Sequence, residues 1–197
     1  MPYIQHTKQL LLASLISLCS FSSLAIEVTP YLGYVFASDI IDANGEELTV
    51  EKGNSFGLGI AWKDGPNGLG QVLVTSTSHE FDTNIGTTGN MDVIYAHFNG
   101  VAQFKQHNYI TTVSIGLGGA YYDVEDGSDD IFPSFTAALG TKYQINQQFA
   151  FVTELRSYVT LTDEDNELFC QAGNCLAEFE DSLWIETALS VGVTYSF

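Results

Sequence analysis

The sequence predicts an all-β chain, eight antiparallel strands closed into an up-and-down barrel, and three observations predict it. Eight segments read as strands, most of them placing apolar side chains at every second position, the period of a strand. After residue 25 no apolar run approaches the roughly 18 residues that a membrane helix needs. The connections alternate between short and long, as they do when hairpins meet at the two ends of a cylinder. Strands that turn one face to lipid and the other to a crowded interior make this a transmembrane β-barrel.

The chain opens on a segment outside that pattern. Met1–Ala25 carries one cation, Lys8, then an apolar run from Leu10 to Leu18, then the small-residue site Ser23-Leu24-Ala25. That is the layout of a secretory signal peptide. Cleavage after Ala25 leaves a barrel domain of roughly 170 residues, 26–197, which suits one domain. The rival reading is lipid attachment at Cys19, but Leu18 stands where that processing wants a small residue.

The strand segments follow in order. Ile26–Phe36 is the first; its blemish is Pro30, which cannot donate to a ladder and which a closed barrel gives no free edge. Asn54–Trp62 is clean: Phe56, Leu58, Ile60 and Trp62 oppose Ser55, Gly57, Gly59 and Ala61. Leu69–His79 and Met91–Gln103 resist phasing, because Val72 and Val74 compete with Leu73, and Tyr95 shares a face with His97. Tyr109–Val124 and Phe135–Ile145 are the fifth and sixth. Phe149–Thr162 has an inward face of Glu154, Arg156, Tyr158 and Thr160. Leu183–Phe197 alternates throughout and stops on an aromatic.

Lys63–Gly68, Lys105–Asn108 and Asn146–Gln148 are short turns, and Ala37–Gly53, Glu80–Asn90, Glu125–Ser134 and Asp163–Ser182 are long loops. In a bacterial outer-membrane barrel that asymmetry puts the short turns and both termini in the periplasm. The formal charge is −18, and −19 without Lys8. Twenty of the 24 acidic residues fall in or beside the four long loops, an acidic crown on a near-neutral body. Such acidity argues against a nucleic-acid partner, since phosphate backbones attract basic patches.

Cys170 and Cys175 remain once Cys19 leaves with the leader, in a compartment where a disulfide persists. Pairing with each other is the favoured reading; a metal site is the rival, with no His or further Cys nearby. Lys142, Glu154, Arg156 and Glu186 point inward and read as one charge network, with Lys142 diagonal to Glu154 and Glu186 near Arg156. Its role is structural, since charges in a low-dielectric interior persist when paired; the alternative is a proton or ion path. Asp123–Gly127 and Asp163–Glu167 offer oxygen ligands for divalent cations but lack the EF-hand spacing. No cofactor is implied. The single cluster suited to an enzyme is Ser76-Thr77-Ser78-His79, where Ser76 or Ser78 meeting His97 across strands would give a nucleophile and base. A non-enzymatic role is favoured. Trp62, Tyr143, Phe149, Tyr195 and Phe197 toward one end, and Tyr34, Phe36, Phe56, Tyr121 and Phe135 toward the other, suit interfacial girdles. A soluble lipocalin-like barrel would use such aromatics as core.

The chain resembles the small proteobacterial outer-membrane β-barrel proteins of the porin family. The segments that carry the resemblance are Val28–Tyr34, Asn54–Gly59, Asp92–Phe98, Glu154-Leu155-Arg156, Phe169-Cys170 through Cys175, and Leu183-Trp184 into the closing strand. Asn99 departs from the pattern by standing where Gly is usual, and Thr75–Ser78 replaces a Tyr-Ser-Arg-Gln-like run. The broader class includes OmpX-, OmpW- and opacity-like proteins of Gram-negative bacteria, and it implies no shared catalytic residues. The resemblance implies an outer-membrane location in contact with lipid and lipopolysaccharide. It also implies that Ser190, Gly192, Tyr195 and Phe197 form the signal read by the barrel-assembly machinery. The function expected is a structural or surface-interaction role through the acidic loops. The runner-up is a narrow porin-like channel, and a lipid-modifying enzyme comes third.

Overall fold

The computed structural model describes residues 26–37, 40–42, 47–48, 52–82, 88–124, 130–162, 170–171, 174–175, 177–178 and 183–197. The expected signal peptide lies outside them. Eight long strands form the barrel: β1 Ile26–Ala37, β2 Gly53–Lys63, β3 Gly68–Asp82, β4 Thr88–Gln106, β5 Tyr109–Val124, β6 Asp130–Gln144, β7 Phe149–Leu161 and β8 Leu183–Ser196. Each pairs antiparallel with its neighbours in sequence, and β1 closes on β8. Among the described residues no helix is long and apolar enough to cross a membrane.

The end that carries the termini is built of tight turns. His107, between β4 and β5, takes the left-handed conformation at φ 55°, which His adopts more readily than most side chains. Between β6 and β7, Asn146 Oδ1 accepts hydrogen bonds from the backbone N–H of Gln148 (2.9 Å) and Phe149 (2.8 Å), the side chain standing in for a backbone turn.

At the opposite, loop end the strands run further than the alternation suggests. The β3–β4 ladder continues to Asp82↔Thr88, so most of the expected loop Glu80–Asn90 is hairpin. β6 starts at Asp130 rather than Phe135, with Pro133 opposite Gly119. In the β3–β4 extension Glu80, Asp82, Thr88 and Asn90 are polar, which hides the strand from a hydrophobic pattern. Just short of it the outward positions Ser78, Asp92 and Asp123 share one rung. Beyond the barrel, Ile40–Asp42 pairs with both Glu47–Leu48 and Ala177–Glu178, which ties the first and fourth long loops together through backbone.

The closed barrel also phases the two strands that sequence left open. Gln71, Leu73, Thr75, Thr77 and His79 of β3 point inward, as do Met91, Val93, Tyr95, His97, Asn99, Val101 and Gln103 of β4. Val72, Val74, Ile94 and Phe98 point out. Both faces are apolar over part of these strands because the lumen has apolar clusters of its own: Met91, Val93 and Tyr95 of β4 join Val35, Ala120, Tyr122, Phe132, Tyr158, Trp184 and Ala188 toward the loop end, and Leu73 of β3 packs with Tyr31 and Val152. Tyr95 stacks on Tyr158 with ring centroids 4.3 Å apart.

Pro30 faces outward. The β1–β8 ladder pairs Val28 with Tyr195 and Tyr31 with Gly192, and it is interrupted at the two residues between. The missing N–H therefore falls in a gap of the closing seam, and the Thr29 and Thr194 hydroxyls bridge that gap at 2.8 Å.

Candidate functional site: the barrel interior and the apolar wall

An eight-stranded barrel is just wide enough to be filled by its own side chains, and this one is filled in layers. Below the aromatic core lies a polar layer centred on Arg156, which is buried. Its Nε donates to Glu154 Oε1 (2.8 Å), one guanidinium nitrogen donates to Thr136 Oγ1 (3.1 Å) and the other to Ser114 Oγ (3.4 Å). In the same layer Asn99 Nδ2 donates to Gln71 Oε1 across β3 and β4 at 3.0 Å. Tyr158 donates to Thr75 Oγ1 at 3.2 Å.

The four expected interior charges all point inward but do not form one network. Glu154 and Arg156 pair within β7, two residues apart on one face. Lys142 pairs with Glu27 of β1 at 2.6 Å, near the terminus end, rather than with Glu154. Glu186 stands one inward position toward the loop end from Arg156, diagonal to it across β7 and β8, but its hydrogen bonds go elsewhere. Its Oε1 accepts from Trp184 Nε1 (3.0 Å) and from His79 Nε2 (3.1 Å), and both Glu186 and His79 are essentially inaccessible to solvent. The geometric reason is barrel curvature: inward side chains of one strand reach across the narrow lumen or along their own strand as easily as to the adjacent rung. Glu27, His79 and Trp184 were missed as partners, although each has the inward parity of its strand.

Between Lys142 and Glu154 the interior holds a cavity of about 30 Å³, lined in part by Tyr31, Gln71 and Thr112. That is room for about one water molecule. A wider recess of about 130 Å³ opens at the terminus end beside Lys63, Gln103 and Lys105. Above them lie the buried side chains of the Arg156 layer and the aromatic core.

The candidate nucleophiles are not assembled with a base. Ser76 and Ser78 are exposed on the outer wall, whereas His97 is buried in the lumen, because the pleat sends alternate residues to opposite faces. Ser78 instead donates to Asp92 at 2.5 Å on the outside. His97 Nε2 lies 3.2 Å from Ser134 Oγ in the closed interior, with no carboxylate bonded to its other ring nitrogen. Cys170 and Cys175 stand directly opposite each other in a short antiparallel pair. Among the described residues no three His, Cys, Asp or Glu side chains are grouped to hold a metal.

The outer wall is the reverse of the lumen. Large apolar side chains of every strand stand exposed, among them Leu58, Val74, Phe98, Ile115 (73%), Leu139, Leu155 and Val193. Paired aromatics sit at the terminus end: Tyr109 with Tyr143, and Phe149 with Tyr195, both 5.1 Å between centroids. Tyr195 meets Phe197 edge-on at 4.7 Å. Ser190 and Gly192 of the closing strand face inward, and the Phe197 N–H donates to the Ile26 carbonyl at 3.0 Å.

No protein-family model and no curated protein matches the sequence. Solved structures do match in shape. Neisserial surface protein A superposes with a TM-score of 0.63 at 13% identity, covering 87% of this chain and 97% of that one. The outer membrane protein OprG from Pseudomonas aeruginosa gives 0.60 at 8% identity, covering 88% and 96%. At these identities the likeness is one of fold.

Proposed function

We propose that the protein is an outer-membrane barrel with a packed interior, anchored by its apolar wall and acting outside the cell through its acidic loop end. The carrying observation is the inversion of polarity: Arg156, Glu154, Glu186 and His79 are buried while Ile115, Leu117 and Ile131 are each at least 65% exposed. A barrel in water would reverse that arrangement; only a lipid surround makes it favourable, with the backbone of the wall paired laterally from strand to strand but for the gap at Pro30 in the closing seam. The short turns and termini belong to the periplasmic side and the loop end to the exterior, in keeping with turn-length asymmetry. The closing strand, with Ser190, Gly192, Tyr195 and Phe197, is the segment offered to the barrel-assembly machinery. The role is structural or one of surface interaction, with divalent cations and lipopolysaccharide as the partners that suit an acidic crown.

The test is cell fractionation followed by unheated and heated gel migration. Recovery in the outer membrane with a heat-modifiable band supports the reading; a protein that stays monodisperse in plain buffer overturns it. Planar-bilayer recordings bear on the channel alternative. The filled lumen leads us to expect no sustained conductance, and a stable open state would replace the packed-barrel reading with a channel.

A further inference from the structure

We propose that a groove on the outer wall over β2, β1 and β8 seats an acyl chain of lipid A, the phosphorylated lipid of lipopolysaccharide, with Lys52 at its headgroup. This rests on the membrane reading above and on the loop end facing outward. The groove measures about 410 Å³ and is walled by Leu32, Tyr34, Phe56, Leu189 and Val191, a size within the range of pockets that hold small ligands.

Its origin can be traced to the residues behind it. Gly33 sits between Ser55 of β2 and Ser190 of β8 in one rung, so three adjacent strands carry only small inward side chains there. A Cβ on Gly33 would lie 2.5 Å from Ser190 Oγ and against the Leu189 carbonyl. Gly33 itself lines the groove, and the outward side chains of Leu32 and Tyr34 flank it.

The loop end of the groove is where the apolar wall stops. Asn54 lines it and shares a rung with Ser78, whose neighbours along that rung are Asp92 and Asp123. Just beyond, Lys52 Nζ stands 5.3 Å from the centre of the Phe36 ring, held by attraction of the cation to the aromatic face. Among the described residues Lys52 is the one lysine or arginine at the loop end; Lys63, Lys105 and Lys142 lie toward the other end and Arg156 is inside. An apolar slot ending at a lone cation, in surroundings that otherwise repel anions, matches an acyl chain that carries a phosphate.

The experiment refolds the full barrel domain in detergent, adds lipid A or phosphatidylglycerol in the presence of chelator, and counts retained lipid by native mass spectrometry. Folding of each variant is checked by heat-modifiable migration. Wild type is expected to keep one lipid A in preference to phosphatidylglycerol. Lys52→Gln weakens retention about fivefold, as loss of one cation at an anionic headgroup predicts, and Lys52→Arg restores it. Leu32→Trp, which fills the slot, lowers retention with Lys52 intact, while Leu139→Trp on the far wall does not. Equal retention by wild type, Lys52→Gln and Leu32→Trp overturns the proposal, as does indifference between the two lipids. A wild type that inserts into bilayers yet keeps no lipid A sinks the groove alone, whereas one that fails to insert sinks the membrane reading with it.

Discussion

Thr29 Oγ1 and Thr194 Oγ1 lie 2.8 Å apart in the seam between the first and last strands, where Pro30 leaves the backbone ladder interrupted. A side-chain hydrogen bond thus takes over the closure that the backbone omits. Its net worth is on the order of 1 kcal/mol. Thr194→Val and Thr29→Val should each lower the unfolding free energy of the refolded barrel by about that amount in a urea titration. The double variant should lose less than the sum. Strictly additive losses would show that the two hydroxyls do not act together.

Arg156 holds one carboxylate and two hydroxyls from three strands. Arg156→Ala strands the Glu154 carboxylate in the lumen, and uncompensated buried charges of this kind cost about 3–5 kcal/mol. Arg156→Lys should recover only part of the loss, since a single ammonium cannot reproduce the fork that meets Glu154, Thr136 and Ser114. Unfolding curves for Arg156→Ala that overlay wild type would refute this account of the polar layer.

Gly116 faces Asn99 across β4 and β5. A Cβ there would lie 2.7 Å from the Phe98 carbonyl and run into the Asn99 side chain, whereas one at Gly119 would meet nothing nearer than 3.4 Å. Gly116→Ala should therefore sharply reduce the yield of heat-modifiable barrel, and Gly119→Ala should leave it near wild type. Equal yields would mean that the wall yields more easily than its ladder implies.

Cys170 and Cys175 are partners in an antiparallel pair, a position that separates Cα atoms by about 4.5–5.5 Å, within the roughly 4.4–6.8 Å a disulfide spans. We expect a thiol assay on unfolded protein from the oxidising compartment to find no free thiol. Two reactive thiols would leave the hairpin unbridged.

Wherever one face met lipid-like demands and the other small or polar residues, the alternation was readable by eye: Phe56, Leu58 and Ile60 against Ser55, Gly57 and Gly59 announced β2, and β8 was legible to its last residue. The inward direction of Lys142, Glu154, Arg156 and Glu186 followed from the same parity. Partners did not. Lys142 with Glu27 joins residues 115 apart, and His79 with Glu186 joins residues 107 apart, a separation that local periodicity carries no information about.

Taken alone, the sequence determined the strand count, the direction of the chain through each hairpin and which end carries the acids, because these depend on a side-chain period of two and on turn chemistry that act within a few residues. Closure of the sheet decided the rest. It set the phase of β3 and β4, paired each interior charge, separated Ser76 and Ser78 from His97, and placed Pro30 at a gap in the seam. Those outcomes depend on curvature and on strands brought face to face across a lumen, which come into being only when the last strand bonds to the first.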